Sequence, residues 1–228
     1  MIFENIEMRK KTVLRTLEEK VAPHHTALLI IDMQNDYAKP EGKCYKAGRP
    51  INHFKVAISN IQHFLEETRK AGILVIHVIT TTLPYGLSDS GAWLDQRTRS
   101  PYIDLTMCLE GTWGEEIIEE LTPKFGEPVV KKMRYSGFAG TPLDIILRSN
   151  DIKTLIVTGV STNVCIDSTL RDGFFLNYYI VLVEDCTYSW DPNLRLATFK
   201  TIEKRFGLVV KSGEVFKIWK NLPPEKIG

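Results

Sequence analysis

Residues 155–167 read L-I-V-T-G-V-S-T-N-V-C-I-D, in which a β-type apolar run passes directly into an amphipathic run. This order is typical of a strand that turns into a helix, and it places Cys165 just inside the helix start. Free N–H groups and the positive dipole end at a helix start favour a thiolate, so they lower the pKa of a cysteine there. The same N–H groups can hold the oxyanion that forms when a thiolate attacks a carbonyl. The stretch is compatible with a nucleophilic hydrolase and equally with a small buried cysteine.

Strand-like and helix-like segments alternate on both sides of this stretch. The predicted strands are residues 27–32, 73–79, 128–132, 154–159, 179–184 and 207–211. The predicted helices are residues 12–20, 53–71, 113–121, 141–149, 163–176 and 192–205. Because the strands are continuous apolar runs separated by helices, they predict a mostly parallel sheet covered on both faces. The predicted fold class is α/β, a three-layer α/β/α sandwich with a Rossmann-like sheet of about six strands.

The whole chain, residues 1–228, is predicted to form a single domain of this kind. Residues 1–22 form an N-terminal extension before the first strand. Residues 80–112, rich in Thr, Gly, Ser and Pro, form a long irregular insertion. A loop of this length inside a compact domain is usually a lid or a wall of a substrate site. We therefore expect the insertion to set substrate specificity.

Three chemically active side chains follow predicted strands. Asp32 ends the first strand, Lys132 ends the third, and Cys165 follows the fourth. In parallel α/β sheets, ligands bind beyond the carboxyl ends of the strands, so the three side chains are expected to converge there. This convergence favours an enzyme. A dinucleotide site requires a glycine-rich G-x-G-x-x-G turn after a strand, and the sequence contains none.

Composition narrows the class of protein further. The chain is 43% hydrophobic and 25% charged with a net charge of +1, which gives no indication of nucleic-acid or membrane-surface binding. The longest apolar run, residues 27–31, is too short to span a bilayer, and the N-terminus lacks the apolar core of a secretory signal. The four cysteines form no C-x-x-C pair, which fits free thiols in a reducing compartment. A cytoplasmic protein is expected.

Three motifs in order carry a resemblance to a known family. They are I-I-D-M-Q-N-D-Y at residues 30–37, K-M-R-Y-S-G-F at residues 132–138 and G-V-S-T-N-V-C at residues 159–165. With these motifs the chain resembles the cysteine hydrolases of the isochorismatase-like superfamily, and nearly its whole length fits. Within that superfamily it looks most similar to the ureidoacrylate amidohydrolases, through R-Y-S-G-F, T-P-L-D-x-I-L-R-S and S-T-L-R-D-G-F-F-L, which begin at positions 134, 141 and 168.

The resemblance implies a catalytic triad of Asp32, Lys132 and Cys165. Cys165 is the expected nucleophile, Asp32 the base that takes its proton, and Lys132 the charge that orients Asp32. The family also places a cis peptide between Val160 and Ser161, so that the backbone N–H groups of Ser161 and Cys165 form the oxyanion hole. Substrate-binding residues that the resemblance and the insertion suggest are Tyr37, Tyr135, Gln96 and Trp113, with Trp93 and Tyr102 as further candidates.

The activity implied is that of an amidohydrolase that cleaves a C–N bond of a small ureido, carbamoyl or amide compound through a thioester and releases ammonia. A ureidoacrylate-type substrate is expected first, with biuret and N-carbamoyl amino acids as alternatives. Nicotinamidases of the superfamily carry an Asp-x-His and a further His after the second strand. Here V-I-T-T-T-L-P-Y-G follows His77, so no metal is expected and a nicotinamidase-like amidase ranks lower.

The remaining alternatives come from other classes. Isochorismatases cleave a vinyl ether and lack the nucleophilic cysteine, so Cys165 argues against that chemistry. A non-catalytic binding member of the fold is the remote alternative. No cofactor is expected, the only partner expected besides a small-molecule substrate is a second copy of the chain, and members of the superfamily commonly form dimers or tetramers.

Other polar residues in these motifs have structural explanations. Asp36 is expected to cap the next turn, and Gln34 and Asn35 to bond the adjacent loop backbone. Lys131 is assigned to solvent because only Lys132 has the K-x-x-x-S spacing. The residues expected to be structural are His77, on an apolar strand, and Cys44, Cys108 and Cys186.

Overall fold

A six-stranded sheet forms the centre of the molecule. The computed structural model describes residues 12–51, 54–100, 102 and 104–221. The strands are β1 Thr26–Ile31, β2 Leu74–Thr80, β3 Val129–Lys132, β4 Thr154–Val160, β5 Tyr179–Tyr188 and β6 Leu208–Val210. All are parallel and lie in the order β3-β2-β1-β4-β5-β6. The predicted α/β class is confirmed, and β5 continues past its predicted end.

Helices cover both faces of the sheet. They are α1 Leu17–Lys20, α2 Asn35–Ala38, α3 Lys43–Lys46, α4 Phe54–Lys70, α5 Gly91–Thr98, α6 Leu143–Ser149, α7 Asp167–Phe175, α8 Pro192–Arg205 and α9 Ser212–Lys220. Buried residues of α4 and α9 belong to the core on one face of the sheet, and those of α6, α7 and α8 belong to the core on the other. No helix within the described ranges is both long enough and apolar enough to cross a membrane.

The two cores share the central strand β1, which is completely buried. Leu28 and Ile30 enter one core, whereas Ala27, Leu29 and Ile31 enter the other. Successive side chains of a strand point to opposite faces, so an uninterrupted apolar run is the pattern that a strand buried on both sides requires. Each fully buried Leu or Ile contributes about 1.5–3 kcal/mol of transfer free energy.

The strand order creates a crevice between β1 and β4. From β1 the chain adds β2 and β3 on one side, returns to place β4 beside β1, and then adds β5 and β6 on the other side. The loops that leave β1 and β4 therefore diverge, which is the topological switch point where ligands bind in open α/β sheets.

Gly159 permits the close approach of β4 to β1 beside this crevice. Its φ is +109°, and a Cβ at this position would lie 2.1 Å from the carbonyl oxygen of Ile31. The register of β4 with β5 shifts between Val157 and Gly159, so the chain is irregular just before the motif with Cys165. No side chain fits at this position, which explains the glycine of the G-V-S-T-N-V-C motif.

The predicted acidic helix at residues 113–121 is wrong. The segment forms turns and a short 3-10 helix, Glu119–Leu121. The side-chain amides of Gln34 and Asn35 donate to the carbonyls of residues 115 and 113 at 2.7 and 2.8 Å. The backbone N–H groups of Asn35 and Asp36 donate to the carbonyls of residues 116 and 114. Because these carbonyls are bonded to the loop after β1, they are not available to a helix ladder.

Other elements also differ from the predictions. The predicted leading helix, residues 12–20, shortens to α1, and the insertion contains α5, which Ser90 caps by accepting from the Trp93 N–H. α9 was not predicted. Residues 1–11 of the N-terminal extension and the first residue of the predicted helix 53–71 lie outside the described residues.

Candidate active site

Three side chains that are remote in sequence meet beyond the ends of the strands. Asp32 follows β1, Lys132 is the last residue of β3, and Cys165 lies in a π-helical turn, Thr162–Ile166, between β4 and α7. The Lys132 Nζ lies 2.9 Å from the Asp32 Oδ2 and 3.5 Å from the Cys165 Sγ. Lys132 is completely buried, and Asp32 and Cys165 are 1% and 8% exposed. The structure thus brings together the three residues that the strand ends singled out.

Thr80 completes this group, and the sequence analysis did not find it. It is the last residue of β2, directly opposite Lys132 in the register of β2 and β3. Its hydroxyl donates to the Asp32 Oδ1 at 2.9 Å and accepts from the Lys132 Nζ at 2.8 Å. Because β2 lies between β1 and β3, a residue at the end of β2 lies between Asp32 and Lys132. The sequence analysis did not predict the order of the strands, so it could not single out Thr80.

The loop after β1 is fixed to the end of β2. Asp32 has a left-handed backbone, φ 54°, and its N–H donates to the Val78 carbonyl at 2.8 Å. The Gln34 side chain bonds both backbone groups of Thr80, donating to the carbonyl at 2.8 Å and accepting from the N–H at 2.9 Å. These bonds hold the Asp32 carboxylate and the Thr80 hydroxyl in one orientation. Gln34 and Asn35 have the structural roles expected of them.

The turn that carries Cys165 has an irregular backbone. The Val160–Ser161 peptide bond is cis, as the resemblance implied. The Ser161 carbonyl accepts from the N–H groups of Val164 and Ile166, at 3.0 and 3.2 Å, and not from that of Cys165 between them. Within the described part of the chain, the Ser161 N–H has no backbone hydrogen-bond acceptor. The two N–H groups expected to form the oxyanion hole, those of Ser161 and Cys165, therefore make none of the hydrogen bonds to the Ser161 carbonyl in this turn.

Thr169 joins the helix of Cys165 to the loop that follows Lys132. Its buried hydroxyl donates to the Cys165 carbonyl at 2.7 Å and accepts from the Gly137 N–H at 2.9 Å. This single side chain therefore ties the R-Y-S-G-F loop to the S-T-L-R-D-G-F-F-L helix, and both are positioned against the site.

The pKa of Cys165 is shifted in the direction opposite to the one expected for a cysteine at a helix start. Burial and the Asp32 carboxylate raise the pKa of the Cys165 thiol well above its ordinary range, although Lys132 acts in the opposite direction. Burial alone would lower the pKa of Lys132, but the negative charge of Asp32 and the neighbouring sulfur raise it. These directions favour a thiol beside an ion pair over a thiolate, so a base has to take the proton before the sulfur attacks. The helix-start argument overlooked the cost of desolvating a thiolate.

Cys165 and Asp32 open into a cavity of about 200 Å³. Its walls come from the ends of the strands and from the insertion, including α5. The lining residues include Tyr37, Thr80, Asp89, Trp93, Gln96, Arg97, Tyr102, Tyr135, Ser161 and Trp190. The insertion thus forms one wall of the cavity, the position expected of a segment that sets specificity.

Of the four residues suggested for substrate binding, three line this cavity. They are Tyr37, Tyr135 and Gln96, and the Tyr135 hydroxyl donates to the Gln96 Oε1 at 2.6 Å. Burial raises the pKa of both tyrosines, so each phenol is neutral at pH 7. Trp113 is different. It does not line the cavity and is 46% exposed, and its carbonyl accepts from the Asn35 side-chain amide at 2.8 Å.

Three arginines in the cavity wall were not found from the sequence: Arg49, Arg97 and Arg134. Arg134 belongs to the R-Y-S-G-F motif, but Arg49 and Arg97 belong to no motif, so no local pattern distinguishes these two from surface arginines. Trp190, beyond the end of β5, was also missed. Tyr102 and Trp93, candidates from the insertion, do line the cavity.

The other polar residues of the motifs have structural contacts. The Asp36 carboxylate accepts from the backbone N–H groups of Lys43 and Cys108, at 3.1 and 2.7 Å, so it binds the start of α3 and also the loop at Cys108. Lys131 is partly exposed and pairs with Glu110 and Glu115. His77 is buried with its Nε2 3.3 Å from the Glu127 carboxylate. Among the described residues, no group of three or more His, Cys, Asp or Glu side chains is arranged to hold a metal ion.

The fold and the site define an α/β protein with a buried cysteine, carboxylate and ammonium at the switch point of a parallel sheet. The isochorismatase domain matches residues 26–214, so the chain belongs to the isochorismatase family. It is 40% identical over 199 residues to the ureidoacrylate amidohydrolase RutB of Enterobacter sp. (strain 638), covering 82% of this chain and 86% of that protein. The resemblance seen in the motifs is confirmed.

Solved structures agree with this assignment. A cysteine hydrolase from Pseudomonas syringae pv. phaseolicola 1448A superposes with a TM-score of 0.77 at 28% identity, covering 93% of this chain and 99% of that one. An N-carbamoylsarcosine amidase from Thermoplasma acidophilum gives a TM-score of 0.65 at 27% identity, covering 82% and 96% of the two chains.

Proposed function

We propose that this protein is a cysteine amidohydrolase that uses Cys165, Asp32 and Lys132 to cleave a C–N bond of a small ureido, carbamoyl or amide compound. The observation that carries the proposal is the contact of the Lys132 Nζ with both the Asp32 carboxylate and the Cys165 sulfur at the wall of a closed-in cavity. Burying an ion pair beside a thiol costs desolvation free energy. Buried charges that perturb the pKa of a neighbouring group are typical of catalytic sites.

In the first half of the reaction, the Cys165 sulfur attacks the substrate carbonyl. The thiol proton passes to the Asp32 carboxylate, and the carbonyl oxygen becomes an oxyanion that accepts from the N–H groups of Ser161 and Cys165. When the tetrahedral intermediate collapses, the C–N bond breaks and the leaving nitrogen takes the proton from Asp32. Ammonia or an amine departs, and the acyl group remains on Cys165 as a thioester.

In the second half, water attacks the thioester. Asp32 accepts a proton from the water, the C–S bond breaks, and the proton returns to the Cys165 sulfur. Lys132 keeps its charge throughout, because its raised pKa holds the ammonium at neutral pH, and it balances the negative charge that alternates between Asp32 and the sulfur. If ammonia departed first, the N-substituted carbamic acid product decomposes to carbon dioxide and the amine; if the amine departed first, carbamic acid decomposes to carbon dioxide and ammonia. Proton transfer of this kind contributes roughly 10²–10⁴ in rate.

A ureidoacrylate-type compound is the first candidate substrate. Its support is the 40% identity to a ureidoacrylate amidohydrolase. An N-carbamoyl amino acid is the second candidate, supported by the structural similarity to an N-carbamoylsarcosine amidase. Both candidates carry a carbamoyl group bonded to nitrogen. A cavity of about 200 Å³ suits a small compound of this kind. Tyr37, Tyr135 and Gln96 are proposed to contact the substrate, and the insertion to select it.

The test is an ammonia-release assay on ureides, N-carbamoyl amino acids, biuret and primary amides. Cys165→Ala should abolish release while the far-UV circular dichroism spectrum stays unchanged. Cys186→Ala is the matched control, since it also removes a buried thiol but one outside the cavity lining, and it should keep its activity. Ammonia release by Cys165→Ala at the wild-type rate would refute the mechanism. A covalent acyl adduct on Cys165, detected by mass spectrometry, would support it.

The setting of the enzyme is also part of the proposal. We propose a single-domain enzyme that acts in the cytoplasm and assembles as a homo-oligomer. The support is the family resemblance and the four free cysteines, all of which are buried. Light scattering coupled to size-exclusion chromatography measures the oligomeric state, and a mass of one chain, 26.0 kDa, would contradict the last point.

A further inference from the structure

We infer that Arg49 binds a carboxylate group of the substrate, so that the enzyme prefers ureido or carbamoyl acids to uncharged ureides. This inference rests on the proposed function, because it concerns the cavity into which Cys165 opens. It is drawn from the charges of the cavity wall and from the way in which the Arg49 guanidinium is held there.

The cavity wall carries an excess of positive charge. Two carboxylates line it, Asp32 and Asp89. Asp32 is paired with Lys132, and the Asp89 Oδ1 lies 3.6 Å from the Arg97 Nη1 in a pair whose side chains are 4% and 8% exposed. With both carboxylates matched, the charges of the two remaining arginines are not neutralised by the wall. A cavity of this charge attracts anions and concentrates them.

The two remaining arginines differ in their contacts. The Arg134 Nη1 donates to the backbone carbonyls of Ser88 and Met133, at 2.9 and 2.6 Å, so one end of this guanidinium is engaged in holding loops. Arg49 has no carboxylate within 4.0 Å among the residues that the structure describes. Its side chain neighbours the Cys44 thiol, which is uncharged when protonated, so the positive charge of Arg49 is not matched and can bind an acid.

Aromatic rings hold the Arg49 guanidinium in place. Its Cζ lies 4.5 Å from the centroid of the Trp190 ring and 5.3 Å from that of the Tyr102 ring. Contact with the face of a ring restrains the guanidinium plane but uses none of its N–H groups. The N–H edge remains able to bind a carboxylate with two parallel hydrogen bonds, the geometry in which arginine recognises acids most strongly. Arg49, Tyr102 and Trp190 thus form the proposed acid subsite.

The acid subsite and Cys165 line one small cavity. A substrate that reaches both has its scissile carbonyl at the sulfur and its carboxylate at Arg49, with a short chain between them. This arrangement describes a ureido or N-carbamoyl acid with few carbon atoms. It disfavours biuret and simple primary amides, which have no anionic group for Arg49.

The test compares acids with a neutral counterpart in the full-length enzyme. The probes are 3-ureidoacrylate, 3-ureidopropionate and N-propylurea, the last being the ureide without a carboxylate. Arg49→Gln should raise KM for the two acids by about 10- to 100-fold, change kcat by less, and leave kcat/KM for N-propylurea unchanged. Arg49→Lys should recover part of the loss. Arg99→Gln is the matched control, because Arg99 is exposed and lies outside the cavity lining, and it should behave as wild type.

Equal losses for the acids and for N-propylurea, or no loss for either, would overturn the inference. If Arg49→Gln does not fold, the same comparison is made with binding to Cys165→Ala by calorimetry. Affinity at least about tenfold higher for 3-ureidopropionate than for N-propylurea supports the acid subsite, and equal affinity refutes it. Turnover that requires Cys165 but shows no preference for acids refutes this inference alone, whereas turnover without Cys165 refutes the proposed function.

Discussion

The Lys132 Nζ lies 2.9 Å from the Asp32 Oδ2, although their strands are not neighbours and the two residues are 100 positions apart in sequence. The ion pair spans β2 through the Thr80 hydroxyl. Because the pair is fully buried, neither charge is solvated, and each depends on the other for its stability. The same pair controls the proton of Cys165, and the two partners act on it with opposite sign.

Replacing the two partners should therefore change thiol reactivity in opposite directions. Asp32 raises the pKa of Cys165 and Lys132 lowers it. Asp32→Asn should make the thiol more acidic and speed its alkylation by iodoacetamide at pH 7, yet abolish turnover because the base is gone. Lys132→Met should slow both alkylation and turnover. Alkylation rates that fall in Asp32→Asn would contradict this assignment of charges.

Lys132→Met should also destabilise the fold. Removing one partner of a buried ion pair leaves an uncompensated charge and typically costs about 3–5 kcal/mol, so urea unfolding should show a loss of this size. The double variant Asp32→Asn/Lys132→Met should recover much of the loss, because no lone charge remains. Additive losses in this cycle would show that the pair does not couple.

The Thr80 hydroxyl should matter for its hydrogen bonds and not for its volume. Thr80→Val keeps the shape but removes both bonds to the ion pair, which should cost about 1–3 kcal/mol and lower kcat. Thr80→Ser keeps the hydroxyl and should retain most of the activity. If Thr80→Val keeps its activity while Thr80→Ser loses it, packing of the methyl group, and not the hydroxyl, is what the site requires.

Gly159→Ala should prevent folding or cost more than about 3 kcal/mol, because the new Cβ would lie 2.1 Å from a backbone oxygen that cannot move away. Gly126→Ala is the control, since Gly126 also has a positive φ, +90°, but a Cβ added there would meet nothing within 4 Å. It should show only the backbone penalty of about 1–2 kcal/mol. Similar losses in the two variants would show that the backbone angle, and not the contact with β1, governs Gly159.

Acid should destabilise the protein through Glu127. Partial burial alone would raise the pKa of this carboxyl, but hydrogen bonds from Arg69 and from the Lys124 N–H hold it at about 2, below its ordinary value of 4.5. A lowered folded-state pKa contributes stability above pH 4.5 that is lost as the pH falls towards 2. The melting temperature should fall across this range, and Glu127→Gln should reduce the slope. An unchanged slope in Glu127→Gln would assign acid sensitivity to other carboxylates.

Tyr135 and Trp113 should differ in their effect on substrate binding. Tyr135→Phe removes a hydroxyl that bonds Gln96 in the cavity wall, and it should raise KM about 3- to 10-fold. Trp113→Ala truncates a side chain outside the cavity lining and should leave KM unchanged. A raised KM in Trp113→Ala would require this tryptophan to reach the substrate.

Much of the fold was readable from short stretches of sequence. The run of residues 27–31 predicted a strand buried on both sides, and β1 has that environment. The alternation with helices predicted a parallel sheet, and strand ends then placed Asp32, Lys132 and Cys165 at one edge. The segment 113–121 failed because its backbone carbonyls are bonded by residues 34–36, a contact between distant segments that no local propensity reports.

The sequence by itself determined the class of fold, the family and the three residues at the strand ends, because apolar periodicity and local motifs depend on near neighbours along the chain. Only the tertiary structure decided that Thr80 stands between Asp32 and Lys132, that burial and Asp32 raise the pKa of the Cys165 thiol, and that Arg49 lines the cavity without a carboxylate partner among the described residues. Strand order, the desolvation of a side chain and the charge balance of a cavity all depend on contacts between residues far apart in sequence. These contacts form only when the chain has folded.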